Sequence, residues 1–480
     1  MTGATGVIAR AVAVAALAAT GCADGGGVTL RPVIELPPAT SDAYPMAALD
    51  QWTLSIAEQG DPSPLSLQTR EPPSPPTLAG VPFGDDLVVH LSGTSAGVEI
   101  AYGRTCAVSV PGDVLEPHLY FARTVSWGPA PRPAAGNRRR AGGYQRLDGA
   151  AVLAGGADGA TAIEVFDPRA GAFSTLASQL APRDGATLSP LLDGRALIVG
   201  GRDPDGALVA LAEILDAKSD AIAARSEGVP AVSEHAAATL VDGSVIVAGG
   251  VGPAGVTAQA WEFGVDAAGQ IAAPRLLFDG LALARAGHTM TRLGDDVGAD
   301  VLVVGGRDAS GAPVGLAELY RPLFESFETI EGSGSTMIAP RWGHRAVRMP
   351  GGFVLILGGV DPEPVTQLEL YDPGLGTFVD AGQLPEGAGV TGMSATPLPD
   401  GGVLIAGGFD AAGQRTASAF VARLDEIDGR LVVVGTDSLD VPRADHTAVP
   451  LCDGTILVVG GADDPDAPAE RYNPSSTGRR

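Results

Sequence analysis

The chain has few basic residues and lacks several common catalytic signatures. Lys and Arg together number 31 against 56 Asp and Glu, so the formal net charge is −25 over 480 residues. Nucleic-acid binding needs clustered Lys and Arg to neutralise phosphates, and this balance argues against it. The sequence contains no H-E-x-x-H motif and no P-loop, which argues against zinc peptidases and nucleotide hydrolases. The sialidase Asp-box, S-x-D-x-G-x-T-W, is also absent.

Cysteine and aromatic residues are scarce as well, whereas turn-forming residues are abundant. The chain has 3 Cys and 5% aromatic residues, but 67 Gly and 38 Pro. Without periodicity, a composition this rich in Gly and Pro would suggest disorder. Short apolar runs recur at regular intervals here, so we expect the Gly and Pro residues to form turns between strands.

Seven Gly-Gly pairs divide most of the chain into repeats. Each pair closes a short apolar run such as ALIVGG, VLVVGG or VLILGG. Neighbouring pairs are 45 to 56 residues apart, and their first glycines are Gly155, Gly200, Gly249, Gly305, Gly358, Gly407 and Gly460. A repeat near 50 residues with several short strands in each unit predicts a β-propeller.

Each repeat has the same order of features. The segment 341–378 contains a first strand from His344 to Arg348, a turn, an apolar second strand ending in Gly-Gly, the third strand LELYDP and a fourth strand beginning at Thr377. Asp-Gly turns in the other repeats favour tight hairpins. The third strands carry a glutamate at Glu164, Glu213, Glu262, Glu318, Glu369 and Glu470, and fourth-strand aromatics are Phe173, Phe327 and Phe378.

This pattern resembles the kelch repeat family. The resemblance covers roughly residues 120 to 474 and departs most in the sixth repeat, where Phe420 replaces the glutamate. It implies an all-β fold in which residues 119–474 form a seven-bladed kelch-type β-propeller. The last repeat has three strands, and its fourth is expected at 120–127, because Trp127 has the spacing of a fourth-strand aromatic. Residues 475–480 are expected to form a tail.

The N-terminal residues have the layout of an export signal. Residues 1–22 contain Arg10, a short Ala-Val-Leu stretch too short to span a bilayer, and Cys22. LAATGC resembles a bacterial lipobox, which implies lipidation of Cys22 and a flexible tether at 23–29. We therefore expect a lipid-anchored location in the bacterial cell envelope, either outer membrane or periplasm. Simple cleavage before Cys22, which would give a secreted protein, is the alternative.

Residues 30–118 predict a small β-rich module. The segments TLSIAE (53–58), LVVHLSG (87–93), VEIAYG (98–103) and TCAVSV (105–110) suggest an Ig-like β-sandwich, and the Pro-rich segment 59–76 is expected to be a linker or long loop. Cys106 lies near the end of this module, and Cys452 lies in the first hairpin of the last repeat. In an oxidising compartment this pair could form a disulfide, with two free thiols as the alternative.

Most polar residues that follow the repeat are interpreted as framework. His235, His288, His344 and His446 begin first strands on different repeats, so we expect no metal site. Aspartates after the Gly-Gly pairs are expected to stabilise turns, and Arg138-Arg139-Arg140 is expected to be a solvated loop. His90 and His118 are expected to be ordinary residues of the module. We identify no catalytic residue and no cofactor.

The candidate partner-binding cluster is Arg341, Trp342 and Arg345, because an exposed aromatic residue beside arginine is typical of an interface anchor. The expected function is a non-enzymatic, monomeric scaffold that binds a protein or glycan through propeller loops and meets the membrane only through its lipid anchor. One alternative is a kelch-fold enzyme of oxidase or sugar-modifying type, although a Tyr/His/Cys copper site cannot be assembled. A structural spacer in the envelope is the other alternative.

Overall fold

The computed structural model describes residues 28–61, 63–74, 76–110, 114–266, 268–425 and 429–475. The predicted signal peptide, Cys22, most of the tether and all but one residue of the tail therefore lie outside the described residues. Two short 3-10 helices occur in the described residues, Met46–Ala48 and Pro350–Gly352. None of the described helices combines the length and the apolar character required to traverse a bilayer.

The N-terminal residues form a module of three sheets. A six-stranded sheet contains Gln51–Glu58, Ser66–Arg70, Gly84–Ser95, Val98–Arg104, Val108–Val110 and Ala122–Arg123. A three-stranded sheet contains Val28–Leu30, Leu78–Val81 and Val114–Leu115, and a two-stranded sheet contains Val33–Glu35 and His118–Tyr120. Residues of all three sheets share one apolar core that includes Leu30, Leu54, Leu91 and Phe121.

Two segments differ from their predictions. The closing strand was expected at 120–127, but it is Ser126–Pro129, and the strands His118–Tyr120 and Ala122–Arg123 pair within the module. Residues 59–76 were expected to be a linker or long loop, but Ser66–Arg70 pairs antiparallel with the strand Gln51–Glu58. The five residues SLQTR contain no proline, so each N–H remains available to the sheet. Leu67 on this strand is 56% exposed, which fits its position at an edge of the sheet.

The remaining strands form seven four-stranded antiparallel sheets, which we number I to VII in chain order. Sheets I to III contain Gly142–Gln145, Ala151–Ala154, Ile163–Asp167 and Ala172–Thr175; Thr187–Pro190, Ala196–Val199, Leu211–Asp216 and Ala221–Glu227; and Ala236–Thr239, Val245–Ala248, Ala260–Phe263 and Arg275–Leu276.

Sheets IV to VI contain Thr289–Arg292, Val301–Val304, Glu318–Arg321 and Ser326–Thr329; Arg345–Arg348, Val354–Leu357, Gln367–Asp372 and Thr377–Gln383; and Ser394–Pro397, Val403–Ala406, Ala419–Leu424 and Leu431–Gly435. Sheet VII contains Thr447–Pro450, Ile456–Val459, Glu470–Asn473 and Ser126–Pro129. Two small ribbons pair Val251–Gly252 with Gly255–Val256 and Val360–Asp361 with Glu363–Pro364.

The second strand of every sheet is buried along its whole length. Val301–Val304 and Val354–Leu357, for example, have no intermediate or exposed residue. A strand covered on both faces loses the alternation of apolar and polar residues, which explains the continuous apolar runs before the Gly-Gly pairs. The pair itself is sterically required: Gly305 has φ 66°, and a Cβ there would lie 2.4 Å from His344 Cε1.

Neighbouring sheets pack against one another in a ring. The first strand of each sheet lies beside the first strand of the next sheet, and that of sheet VII lies beside that of sheet I. A separate apolar cluster fills each of the seven gaps between neighbouring sheets. The cluster between sheets VII and I includes Leu153, Phe166, Leu457 and Val459. This arrangement is compatible with a propeller-like fold.

Sheet VII combines both ends of the ring-forming region. Ser126–Pro129 pairs antiparallel with Glu470–Asn473, and Trp127 lies opposite Tyr472 with ring centroids 5.1 Å apart. Equivalent pairs join the third and fourth strands of three other sheets at 4.9 to 5.1 Å, namely Phe166–Phe173, Tyr320–Phe327 and Tyr371–Phe378. Trp127 therefore occupies the fourth-strand aromatic position in sheet VII.

The N-terminal module is joined covalently and by hydrogen bonds to sheet VII. Cys106 and Cys452 form a disulfide with a Cα–Cα distance of 4.9 Å. Asn473 Nδ2 donates to the carbonyl oxygens of Tyr102 at 3.0 Å and Ala122 at 2.9 Å. Buried Arg471 forms an ion pair with Asp453 and lies over the ring of Tyr120. These contacts hold the module beside the sheet that contains both chain ends of the ring.

The antiparallel strands define two ends of the ring. The loops between second and third strands lie at one end, which we call the loop face (155–162, 200–210, 249–259, 305–317, 358–366, 407–418 and 460–469). The turns between first and second strands and between third and fourth strands lie at the other end, which we call the turn face. Turns of neighbouring sheets contact each other there, for example Gly194 with Leu147 and Gly149 with Cys452.

Candidate functional site

The loop face has a ring of residues in left-handed conformation directly before the first strands. Two residues ahead of each first strand, φ lies between 53° and 70° at Arg140, Gly185, Glu234, Gly287, Gly343, Gly392 and Asp445. Left-handed backbone is readily adopted by glycine, whereas other residues resist it by roughly 1 to 2 kcal/mol. The three non-glycine positions therefore bear strain, which tends to concentrate at functional sites.

Backbone hydrogen bonds connect these positions from sheet to sheet. The amide of Gly287 donates to the carbonyl oxygen of Glu234 at 2.9 Å, and that of Gly343 donates to Gly287 at 3.0 Å. Asp445 N–H donates to Gly392 at 2.7 Å, and Arg140 N–H donates to Asp445 at 2.7 Å. The hydrogen bonds fix the rim formed by these residues around the first strands, which we call the channel mouth.

Arg341 does not belong to a binding surface, and its predicted role as a partner contact is wrong. Its side chain is 0% exposed and forms an ion pair with fully buried Glu369 at 2.6 Å. The guanidinium also donates to the carbonyl oxygens of Ala339, Gly358 and Gln367. Burial lowers the pKa of Arg341, and the Glu369 carboxylate opposes that shift. All three guanidinium nitrogens thus donate to acceptors inside the protein.

The same buried ion pair recurs in five sheets. The pairs are Arg138–Glu164, Arg183–Glu213, Arg285–Glu318, Arg341–Glu369 and Arg443–Glu470. Sheets III and VI lack both members, with Val232 and Trp261 in sheet III and Val390 and Phe420 in sheet VI at the equivalent positions. Glu262 was expected in the series of third-strand glutamates, but it lies one residue beyond the equivalent position and pairs with Arg275 instead. The joint loss of both members is a signal that could have revealed the pairing, because a buried charge is costly without its partner.

The run Arg138-Arg139-Arg140 was expected to be a solvated loop, which is wrong for Arg138, whereas Arg139 and Arg140 are exposed. Arg138 occupies the repeat position of the buried arginines and bonds Glu164 at 2.8 Å. Arg139 forms an exposed ion pair with Asp158 at 3.0 Å. Arg140 lies at the channel mouth, and its guanidinium contacts Asp184 at 2.7 Å. Three adjacent arginines therefore have three separate partners.

Trp342 is half-buried on the loop face, within reach of two other sheets. The guanidinium carbon of Arg307 lies 5.3 Å from the Trp342 ring centroid, which is within cation–π distance. Arg307 also forms an ion pair with Glu234 at 2.6 Å. Glu234, Arg307 and Trp342 precede or follow strands of sheets III, IV and V, so the three side chains form a chain of contacts along the channel mouth. We call these three residues the rim triad.

Arg345 lies on the first strand of sheet V and is exposed. Its Nε donates to the carbonyl oxygen of Met393 on sheet VI at 3.0 Å. The equivalent residues in the other sheets are small, namely Gly142, Thr187, Ala236, Thr289, Ser394 and Thr447. Water reaches the side chain, but protein atoms enclose it densely, so desolvation lowers the pKa of Arg345 while Asp445 raises it. Arg345 thus places a positive charge at a position where the other six first strands have a small, uncharged residue.

The four histidines of the repeats lie between sheets. His235, His344 and His446 place Nε2 within 2.8 to 2.9 Å of hydroxyl oxygens on the preceding sheet, those of Thr187, Thr289 and Ser394. Burial lowers the pKa of His235 to about 4 and those of His344 and His446 to about 3. His288, also buried, faces Ala236 at the equivalent place, and burial likewise lowers its pKa. These histidines stay neutral and link neighbouring sheets.

The aspartates that follow the Gly-Gly pairs act in turns or ion pairs. Asp203, Asp308 and Asp410 accept backbone N–H groups of their own loops at 2.8 to 3.0 Å. Asp463 forms an ion pair with Arg415. Among the described residues, no group of three or more His, Cys, Asp or Glu side chains could hold a metal ion.

The N-terminal module contains a G-x-S-x-G sequence and two histidines. A G-x-S-x-G match at Gly93–Gly97 spans the hairpin between Gly84–Ser95 and Val98–Arg104, whereas a nucleophile elbow joins a strand to a helix. His90 Nδ1 contacts the hydroxyl of Tyr102 within the same sheet. His118 is exposed on its short strand.

Comparison with known proteins gives limited information. No family model matches the chain, and no curated protein matches it. One solved structure, described as "Structure of YjhT", is similar at 16% sequence identity and a TM-score of 0.47, with 64% of this chain and 99% of that chain covered. At this level of similarity the neighbour carries no argument about site or activity.

Proposed function

We propose that the chain is a seven-bladed kelch-type β-propeller with an N-terminal Ig-like sandwich, and that it acts as a non-catalytic binding scaffold of the bacterial cell envelope. Its protein or glycan partner binds at the channel mouth, through the rim triad and Arg345. The observation that carries the binding role is the rim triad itself, since it joins an aromatic ring, a guanidinium and a carboxylate from three sheets on the loop face.

The blade assignment is supported by the ring of contacts. Seven sheets, seven inter-sheet clusters and a first strand of sheet I beside that of sheet VII fit seven blades with no gap. The closing strand fits as well, because completing the last blade with a strand from the other chain end protects the edges of a propeller. The Ig-like assignment is supported by the six-stranded and three-stranded sheets, whose apolar residues, together with Leu119 of the two-stranded sheet, share one core.

The binding role rests on exposure and chemistry at the mouth. Trp342 is only partly buried, and its ring face is already polarised by Arg307 at 5.3 Å. Aromatic rings beside arginine are favoured at the centres of protein interfaces, and aromatic rings also stack on sugars. Arg345 adds a positive charge beside the channel mouth, and its Nε donates to the carbonyl oxygen of Met393.

Three variants test the binding role. Wild-type chain, Trp342→Ala and Arg345→Ala are used as bait in envelope extracts, and captured proteins and glycans are compared by mass spectrometry. Arg348→Ala is the matched control, because Arg348 lies at the other end of the same strand and pairs with Asp295 on the turn face. We expect the mouth variants to lose at least tenfold of one captured partner and the control to keep it. Identical profiles for all variants would reject the channel mouth as the binding site.

Metal analysis of the purified chain tests the non-catalytic part of the proposal. The kelch-fold oxidase alternative requires bound copper, so one equivalent of copper in the isolated protein would contradict the scaffold role. Mass spectrometry of the N-terminal peptide tests the anchor, since lipidation adds a diacylglyceryl group to Cys22. An unmodified peptide beginning at Cys22 would instead indicate secretion.

A further inference from the structure

The turn face carries large apolar side chains that point into water. Leu192 is 59% exposed, and the remaining five are 71 to 77% exposed; the six are Leu147, Leu192, Val297, Leu323, Phe324 and Leu375. In the described residues of the second-to-third-strand loops, by contrast, no large apolar side chain is exposed. At the loop-face end, exposed large apolar residues are instead confined to the segments that join a fourth strand to the next sheet, namely Phe278, Leu283 and Ile338.

These side chains form their densest group on sheets IV and V. The turn between the first two strands of sheet IV spans residues 293–300 and is longer than the Asp-Gly turns of other sheets. It places Val297 at the surface, and Gly298 packs directly against Leu323, which continues into Phe324. The same turn borders an open groove of about 350 Å³ whose other wall includes Tyr371 and Pro373. Val297, Leu323, Phe324 and Leu375 are hereafter called the apolar rim.

Turn formation does not explain the apolar rim. The residues that a tight turn needs are Gly, Asp, Asn and Pro, and these are present beside the apolar positions. Leu323-Phe324 and Leu375 occupy third-to-fourth-strand turns where Lys218-Ser219 stands in sheet II. Exposed apolar groups of this size indicate a surface that is covered when the protein is in place.

The chain outside the described residues points to what covers it. The first described residue is Val28, and Cys22 lies six residues earlier, so an extended tether reaches at most about 20 Å. The module that begins at Val28 is attached on the turn face, through Cys106 to the sheet VII turn at Cys452 and through Glu35 beside Gly171 of sheet I. A lipid on Cys22 therefore tethers the chain to a bilayer through the module, which contacts the ring on the turn-face side.

We propose that the turn face rests on a zwitterionic lipid surface, with the apolar rim in the interface and the channel mouth turned away from the membrane. This inference rests on the lipid anchor of the proposed function. The module from which the tether starts and the apolar rim lie on opposite sides of the ring, at sheets VII–I and IV–V. The net charge of −25 disfavours anionic lipids, and the turn-face carboxylate of Asp295 is already paired with Arg348.

Depth-dependent fluorescence quenching tests the orientation. The full chain, with lipid on Cys22 verified by mass, is reconstituted in phosphatidylcholine vesicles that carry brominated acyl chains. Phe324→Trp is compared with Phe278→Trp, a fully exposed position that follows the fourth strand of sheet III and leads toward the loop face. We expect the added emission at position 324 to fall at least twofold relative to unbrominated vesicles, and that at position 278 to be unchanged.

Each other outcome overturns the inference in a recognisable way. Equal quenching at both positions, or none at position 324 with the anchor present, means that the turn face does not meet lipid. An unmodified Cys22 removes the anchor and overturns both the orientation and the lipid-anchored location, whereas failure of quenching with the anchor present overturns the orientation alone. Dimers in detergent that Leu323→Asp dissociates would assign the apolar rim to a second copy of the chain instead.

Discussion

Replacing Arg183 with alanine is expected to destabilise the ring far more than replacing Arg225, although both arginines contact the same carboxylate. Arg183 has 2% of its side chain exposed and Glu213 has 0%, so their ion pair is shielded from water. Loss of one partner of a buried pair costs about 3 to 5 kcal/mol. Glu213 would keep Arg225 at 2.8 Å and the backbone N–H of Ala181 at 3.3 Å, which places the expected loss near 3 kcal/mol.

Arg225 is the internal control for this substitution. Its side chain is 54% exposed, so its pairing with Glu213 is screened by solvent and Arg225→Ala should cost less than about 1 kcal/mol. Urea unfolding of the two variants, followed by tryptophan emission, measures the difference. The double variant Arg183→Val/Glu213→Phe copies the residues of sheet VI, Val390 and Phe420, and should lose less than the summed single changes. Equal losses for Arg183→Ala and Arg225→Ala would refute the structural role of the repeated arginines.

Three further predictions concern pH, the disulfide and closure of the ring. Burial lowers the pKa of His344 to about 3, so below about pH 6.5 the unfolded chain binds a proton that the folded chain does not. The free energy of unfolding should therefore decrease as the pH is lowered, by about 2 kcal/mol per buried histidine at pH 5. His344→Gln should reduce that loss. Cys452→Ser should cost about 2 to 5 kcal/mol, measured by urea unfolding without reductant, and no loss would contradict a structural disulfide. Trp127→Ala should cost about 3 to 5 kcal/mol. A chain truncated after residue 455 should lose the cooperative melting transition of the whole ring, since sheet VII then loses its second and third strands; retention of the full transition would contradict closure.

The repeat made the strands of the ring readable from the sequence. Apolar second strands, Gly-Gly pairs and third-strand glutamates have fixed spacing, because each sheet meets the same two neighbours and must satisfy the same steric and hydrogen-bond demands. The spacing of Trp127 placed a strand beside Tyr472, more than 340 residues later, as the structure has it. Periodicity therefore carries long-range information when every unit packs in the same way.

The site was harder to predict because the spacing of the repeats does not show whether a side chain is buried or exposed. Arg341 and Trp342 are adjacent, yet one is fully buried and the other half-exposed. The buried ion pair Arg341–Glu369 joins two positions 28 residues apart, and only the joint absence of such pairs from sheets III and VI indicated it. Arg307 and Glu234 belong to other repeats, so no local pattern connected them to Trp342. Outside the ring, the short strands of the module had no repeat to identify them, and Ser66–Arg70 was missed.

Site-specific photocrosslinking tests the binding account most directly. A photoreactive phenylalanine analogue is placed at Trp342 on the loop face and, in a matched chain, at Phe278, which is exposed but lies outside the channel mouth. Irradiation in intact envelopes should give one discrete crosslinked product from position 342, and Arg345→Ala in the same chain should remove it. No product from position 342, or the same product from both positions, would contradict binding at the channel mouth.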